Sequence, residues 1–346
     1  MKHNFITIIK NTIFALSAIL LFIWTPALAQ ETKYPLTIKN CGRVLTFDKK
    51  PERVVSIGQN STEILYALGL GDKVKGTALW NSKVLPQFSE INKTIPVLSQ
   101  IEPSFESVLD KQPDFVANHL EWVIGPNGST ATYQQFDDFN IPVYTAPADC
   151  INKDNMADGD GLRTQPFTMD MIYQEIAELA EIFDVQERGT TLIADLKARE
   201  KAAIEKVANF PKDKLSAVFW YSSADLDLNP YVAGRLGAPA YIMNKLGIKN
   251  IIQSDNEWPT ISWEYIVNED PPLIVIAKMD RQRYPADDVK EKRKYLNNDL
   301  LTQMMGAVKN NAIVEMDVQS MNPTMRTIDG IETLADAITK LGIIKN

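Results

Sequence analysis

The residues that could do chemistry on their own are few. The chain of 346 residues holds two histidines, His3 and His119, and two cysteines, Cys41 and Cys150. Zinc and manganese sites draw on several imidazoles or thiolates. A direct metal site here would therefore have to be built from Asp, Glu or Tyr, and none is predicted. A Ser-His-Asp hydrolase would have to use His119 as its base. No G-x-S-x-G elbow, P-loop or glycine-rich dinucleotide turn after a strand is present, so the sequence argues against an enzyme.

Two carboxylates stand out by their setting. Residues 105–118 read FESVLDKQPDFVAN and residues 263–277 read WEYIVNEDPPLIVIA. Each has an aromatic residue, a Glu, a helical stretch, a Pro and an apolar strand. Glu106 lies as far before Pro113 as Glu264 lies before Pro271. A second echo sets Leu68-Gly69-Leu70 against Leu246-Gly247-Ile248. Both echoes occur in the same order in both halves, which predicts two similar lobes. A Glu near a helix N-terminus is stabilised by the helix dipole, and it is still free to meet a partner.

These residues need a scaffold, and the rest of the chain predicts one. Residues 1–29 carry Lys2 and Lys10, an apolar run from Ile13 to Trp24, Pro26, and Ala27-Leu28-Ala29. That is the pattern of a secretory signal peptide cleaved after Ala29. The apolar run is short for a bilayer span of roughly 20 residues. The mature chain would be soluble and exported, with His119 as its lone histidine. Over the whole chain 36 Lys+Arg face 44 Asp+Glu, a net charge of −8. Losing two Lys with the signal takes it to −10, a poor match to nucleic acid. In an oxidising compartment Cys41 and Cys150 are expected to pair, the alternative being two buried free thiols. The disulfide would close a loop of about 110 residues.

Residues 34–47 alternate apolar and polar and predict a hairpin turning at Asn40 to Gly42. Arg53 to Gly58 predicts a strand, followed by a helix capped by Asn60, Ser61 or Thr62. Strands are expected at 73–78, 115–118 and 143–145, with helices between them. That βαβ series implies a mostly parallel sheet. Helical patterns cover 169–183 and 187–208, the second about 33 Å long. Strands at 215–221, 273–277 and 312–314 follow, with a helix over 241–246 and a closing helix over 329–341. The expected organisation is a lobe over 30–186, an interlobe helix within 187–210 and a second lobe over 211–346. The fold class is α/β, two similar lobes joined by one long rigid α-helix.

The chain resembles the periplasmic solute-binding proteins of iron-siderophore, haem and cobalamin ABC importers. The resemblance spans the mature chain and is carried by PERVVSIGQNSTEILYALGLGDKVKGTA (51–78), FESVLDKQPDFV (105–116), SWEYIVNEDPPLIVI (262–276) and MRTIDGIETLADAI (325–338). The contexts KNCGRVLTF and PADCIN, with WYSSADLDLNPYVAGRLGAP, resemble one branch that has such a disulfide. Arg235 stands where that branch usually has Gly. The resemblance implies a monomeric carrier with no cofactor of its own. It would deliver a metal chelate, a ferric siderophore first, to a membrane permease. Haem, a corrinoid or another organic cofactor is the alternative cargo. Glu106 and Glu264 match the positions at which the cobalamin carrier docks its permease.

Ligand would sit between the lobes, at loops that follow the strands. The candidates are Gln59, Asn60 and Ser61 after the first strand, Trp80 after the second, and His119 and Trp122 after the third. In the second half they are Trp220 and Tyr221 at a strand end, Tyr231 and Arg235 in the next loop, Lys278 and Arg281 after the strong strand, and Arg326 after the last. Aromatic residues with Arg suit a planar or anionic chelate. His119 is read as a loop histidine and Trp263 as packing.

Overall fold

The computed structural model describes residues 31–156, 161–210 and 215–341. The predicted signal peptide lies outside the described residues. In the first half, β1 (Leu36–Asn40) and β2 (Arg43–Phe47) form the expected antiparallel hairpin. Cys41 and Gly42 turn it, both at positive φ. Then follow β3 (Val54–Ile57), α1 (Gln59–Ala67), β4 (Val74–Ala78) and β5 (Val97–Ser99). After them come α2 (Phe105–Leu109), β6 (Phe115–Asn118) and β7 (Val143–Thr145). The five strands β3 to β7 make one parallel sheet in the order β5-β4-β3-β6-β7. Strand β3, central in that sheet, is buried at all four residues. Such a strand reads as a continuous apolar run because helices cover both faces.

Helix α3 (Met169–Ile182) leads to α4 (Gln186–Lys206), which ends sooner than its Ala- and Lys-rich sequence suggests. The break between them falls at Asp184, at φ 59°. The second half contains β8 (Leu215–Ser222), β9 (Tyr231–Val232), α5 (Ala238–Leu246), β10 (Ile248–Asn250), α6 (Trp263–Glu269) and β11 (Leu273–Lys278). It closes with α7 (Val289–Asn298), β12 (Ile313–Asp317) and α8 (Thr327–Leu341). Strands β8, β11 and β12 are parallel neighbours. Strand β10 runs parallel and β9 antiparallel beside β8.

Helix α4 is fastened along its length, which makes it a stiff link. Near its start Arg188 donates to the Leu68 carbonyl at 2.9 Å, at the end of α1. Further on, Arg199 pairs with Asp329 and Glu332, and Lys206 with Asp336, all on α8. One apolar cluster runs from β3 and α1 through α3 and α4 to β8, β11 and α8. A second, smaller one lies behind β6 and β7. The two halves therefore share a core, and wide hinge opening would expose it.

A disulfide joins Cys41 to Cys150, with 5.5 Å between their Cα atoms. Beside it Asn40 exchanges two hydrogen bonds with the Thr145 backbone, at 2.7 and 2.8 Å. The hairpin is thus pinned to the end of β7. No helix among the described residues is long and apolar enough to cross a membrane.

One local expectation fails. Helix α1 starts at Gln59, and its N-cap is Gly58 without a side-chain cap. Gly58 has φ 103°, and a Cβ on it would lie 2.3 Å from the His119 Cβ. Only glycine fits an elbow that is both at positive φ and pressed against the His119 side chain. Asn60, Ser61 and Thr62 therefore lie inside the first turn, as buried helical residues, and none is the cap.

Candidate functional site

Loops leaving the C-terminal ends of the strands face one another across a cavity of about 400 Å³. The first half contributes Gln59, Asn81, His119, Trp122, Asp149 and Lys153. The second contributes Tyr221, Tyr231, Glu257, Trp258, Arg281, Arg283, Tyr284 and Gln319.

The two walls differ in how far their polar groups are already satisfied. Gln59 is fully engaged. Its amide donates to Glu63 and to the Lys83 carbonyl, and its carbonyl accepts the Asn81 and Ser82 amides. Lys153 pairs with Asp149 at 2.5 Å and with Glu257 at 3.6 Å, and Glu257 pairs with Arg163 at 2.6 Å. Burial pulls the Lys153 pKa down, but the two carboxylates outweigh it and the net shift is upward. This two-plus, two-minus cluster is neutral and ties the halves together. The His119 ring is buried, and the Pro323 carbonyl accepts its N–H. Burial lowers its pKa to about 4, against the pull of Asp149, so the ring is neutral at pH 7.

The second wall holds aromatic surface and unspent donors. Tyr221 packs on Trp258, ring centroids 4.4 Å apart. Arg283 lies over the Tyr284 ring at 5.4 Å. Among the described residues neither Arg281 nor Arg283 has a carboxylate within ion-pair distance. Among the described residues the buried atoms Arg281 Nε and Gln319 Oε1 on this wall, and Asn81 Oδ1 on the first, have no hydrogen-bond partner. Unpaired buried polar atoms are uncommon in native proteins, and these three line one cavity. With the Lys153 cluster neutral, two guanidiniums remain against one carboxylate, Glu102.

The halves are also tied beside the cavity. The amides of Asp280 and Arg281 donate to the Asn81 carbonyl at 2.9 and 3.2 Å, and Asp280 accepts the Lys83 amide at 2.8 Å. Arg326 chelates Glu63 and reaches Asp317 and the Lys83 carbonyl.

Residues 54–319 match the periplasmic binding protein family. The chain belongs to that family. It is a solute-binding protein of the kind that serves ABC importers, not an enzyme. It is 26% identical over 312 residues to an uncharacterised ABC transporter substrate-binding lipoprotein of Bacillus subtilis strain 168, covering 89% of this chain and 87% of the relative. It is 24% identical over 289 residues to the vitamin B12-binding protein of Vibrio campbellii, covering 82% and 88%. Its fold matches that of a protein of an Fe3+-hydroxamate transport system from Saccharomonospora viridis. That TM-score is 0.69 at 24% identity, over 88% of this chain and 99% of the other.

In this binding protein Gln59, His119, Trp122, Tyr221, Tyr231 and Arg281 line the interlobe cavity. The other candidates go elsewhere. Asn60 and Ser61 turn from the cleft to hydrogen-bond Glu175 on α3, at 3.0 and 2.7 Å. Trp80 is buried and donates to Thr77. Trp220 is 1% exposed, edge-on to Trp263, and belongs to the core. Arg235 pairs with Asp255 at 2.5 Å. Lys278, Trp80 and Arg326 border a second, open cavity beside the strap at Asp280. Arg326 is spent on Glu63. Arg283, Tyr284 and Trp258 were missed because they lie several residues beyond a strand end, where a strand-end rule does not reach.

Glu106 and Glu264 stand in the first turns of α2 and α6, both exposed. Ser104 caps α2 and Ser262 caps α6, each accepting the amide three residues on. The internal repeat thus extends to the cap. Trp263 is buried, as its match to Phe105 implies.

Proposed function

We propose that this protein carries a compact anionic metal chelate, a ferric siderophore first, to the permease of an ABC importer. The observation that supports this reading is the second wall of the cleft. It offers Arg281 and Arg283, without carboxylate partners among the described residues, beside Tyr221, Tyr231, Trp258 and Tyr284. Guanidinium forks recognise anionic oxygens bidentately, and the aromatic faces suit planar ligand arms. A cavity of about 400 Å³ is at the compact end of small-molecule sites.

The domain reading is two lobes, over residues 30–186 and 211–346, with the helix between them. Residues 1–29 act as a cleaved export signal, and the mature protein works as a periplasmic monomer. Glu106 and Glu264 dock on the permease, one contact per lobe, which sets orientation.

Haem is the second reading. Three tyrosines line the cleft, and a phenolate oxygen can ligate haem iron. His119 is the weaker candidate for that, because its ring is buried in the first wall.

A thermal-shift series tests the reading, since a ligand that binds only the folded state raises the midpoint. The probes are a ferric tris-catecholate of charge −3, a neutral ferric tris-hydroxamate, haemin and cobalamin. The proposal expects the largest rise with the tris-catecholate. A rise with haemin alone supports the second reading, and a rise with cobalamin alone or with no chelate defeats both.

A further inference from the structure

Behind the second wall two buried ionisable side chains hold the cleft loops without lining the cavity. Asp287 is 0% exposed and ends the short turn after Tyr284. One of its oxygens accepts the backbone amides of Arg283 and Tyr284, at 2.7 and 3.0 Å. The other accepts the Ser222 hydroxyl at 2.5 Å, at the end of β8. Lys292 on α7, also 0% exposed, donates to the carbonyls of Tyr221 and Ala277, with its ammonium 5.5 Å from the Trp220 ring centre. The ends of β8 and β11 and the arginine loop are thereby gathered by one acid and one base.

Burying a carboxylate costs several kcal/mol before its hydrogen bonds are counted. An apolar side chain of similar volume would stabilise the fold as well, but it could not grip two successive amides. The grip falls on the residues that present a guanidinium and a phenol to the cleft.

We propose that Asp287 is a positioning residue for ligand recognition. It fixes the backbone of Arg283 and Tyr284 so that their side chains meet the ligand's anionic edge without first being ordered, and pre-ordering of this kind raises affinity. This rests on the reading that the cleft takes an anionic chelate.

The test is a double-mutant cycle on Asp287→Asn and Arg283→Gln, with the ferric tris-catecholate as probe and quenching of tryptophan fluorescence as readout. Each single variant is expected to weaken binding about tenfold. The double variant should lose clearly less than the product of the two single losses, because Asp287 acts through Arg283 as well as through Tyr284. A merely structural aspartate would instead give losses that multiply, and that result, or unchanged binding in Asp287→Asn, overturns the proposal. If Asp287→Asn does not fold, Ser222→Ala removes one of the three bonds and should weaken binding in the same sense, by about threefold. No weakening in Ser222→Ala would then overturn it.

A ligand-free arm keeps the two claims separable. In Asp287→Asn the amides of Arg283 and Tyr284 should exchange at least about tenfold faster with solvent, while those of β11 stay protected. Failure of the wild type to bind the tris-catecholate sinks the anionic-cargo reading, and unchanged exchange sinks the role of Asp287.

Discussion

The two walls of the cleft come from matching scaffolds and are finished differently. Each half has a mostly parallel sheet, a short Ser-capped helix carrying an exposed Glu, and loops at the strand ends. On the first wall Gln59, His119, Asp149 and Lys153 are spent on protein partners. On the second, Arg281 and Arg283 have no acidic partner among the described residues. On the function proposed above, the first wall is a frame that fixes the cleft's width and the second the surface that recognises charge. The exposed glutamates on α2 and α6 are the feature the halves keep in common.

The largest effect is expected where the halves are alike. Glu106→Arg combined with Glu264→Arg should abolish uptake into cells while leaving ligand affinity unchanged, and each single swap should give a partial loss. Normal uptake by the double variant would break the symmetry of docking.

Next comes a stability effect confined to the first half. Burial raises the Glu175 pKa to about 7 against the pull of the Ser61 and Asn60 hydrogen bonds, with Glu178 adding to the rise. An acid raised from 4.5 stabilises the fold fully below pH 4.5, and that contribution is lost as pH climbs to 7. The loss amounts to about 3 kcal/mol. Glu175→Gln should therefore gain on the wild type between pH 4.5 and 7 in denaturant titrations, with no further gain above 7. His119 has the opposite sign. A base lowered from 6.5 to about 4 withdraws stability as pH falls through that interval. His119→Gln should flatten the acid side of the same curve.

A smaller effect separates the walls directly. Arg281→Gln and Arg283→Gln should each weaken tris-catecholate binding about tenfold and reduce its salt dependence. Trp122→Ala on the first wall, where the indole is 39% exposed, should cost about threefold and leave the salt dependence unchanged. Equal losses and equal salt responses on both walls would remove the distinction between frame and recognition surface.

Much of the scaffold was legible because its signals are local. Apolar runs marked β3 and β11, the break near Asp184 separated α3 from α4, and the Glu-to-Pro spacing placed α2 and α6. The site was half legible. Strand ends located the loops, but whether a side chain stays free depends on partners far along the chain. Arg326 looks like a ligand cation until Glu63 meets it from 263 residues away, and Asn60 is taken by Glu175 from 115 residues away. Gly58 misled for a different reason. Its positive φ starts α1 earlier than the polar residues after it suggest.

The central claim is that the second wall selects an anionic chelate, and the cargo itself tests it most directly. Protein isolated from its own host under non-denaturing conditions can be weighed intact by mass spectrometry, and the bound molecule then released and identified. The account predicts an iron chelate carrying net negative charge. A neutral or cationic cargo in the cleft would contradict it.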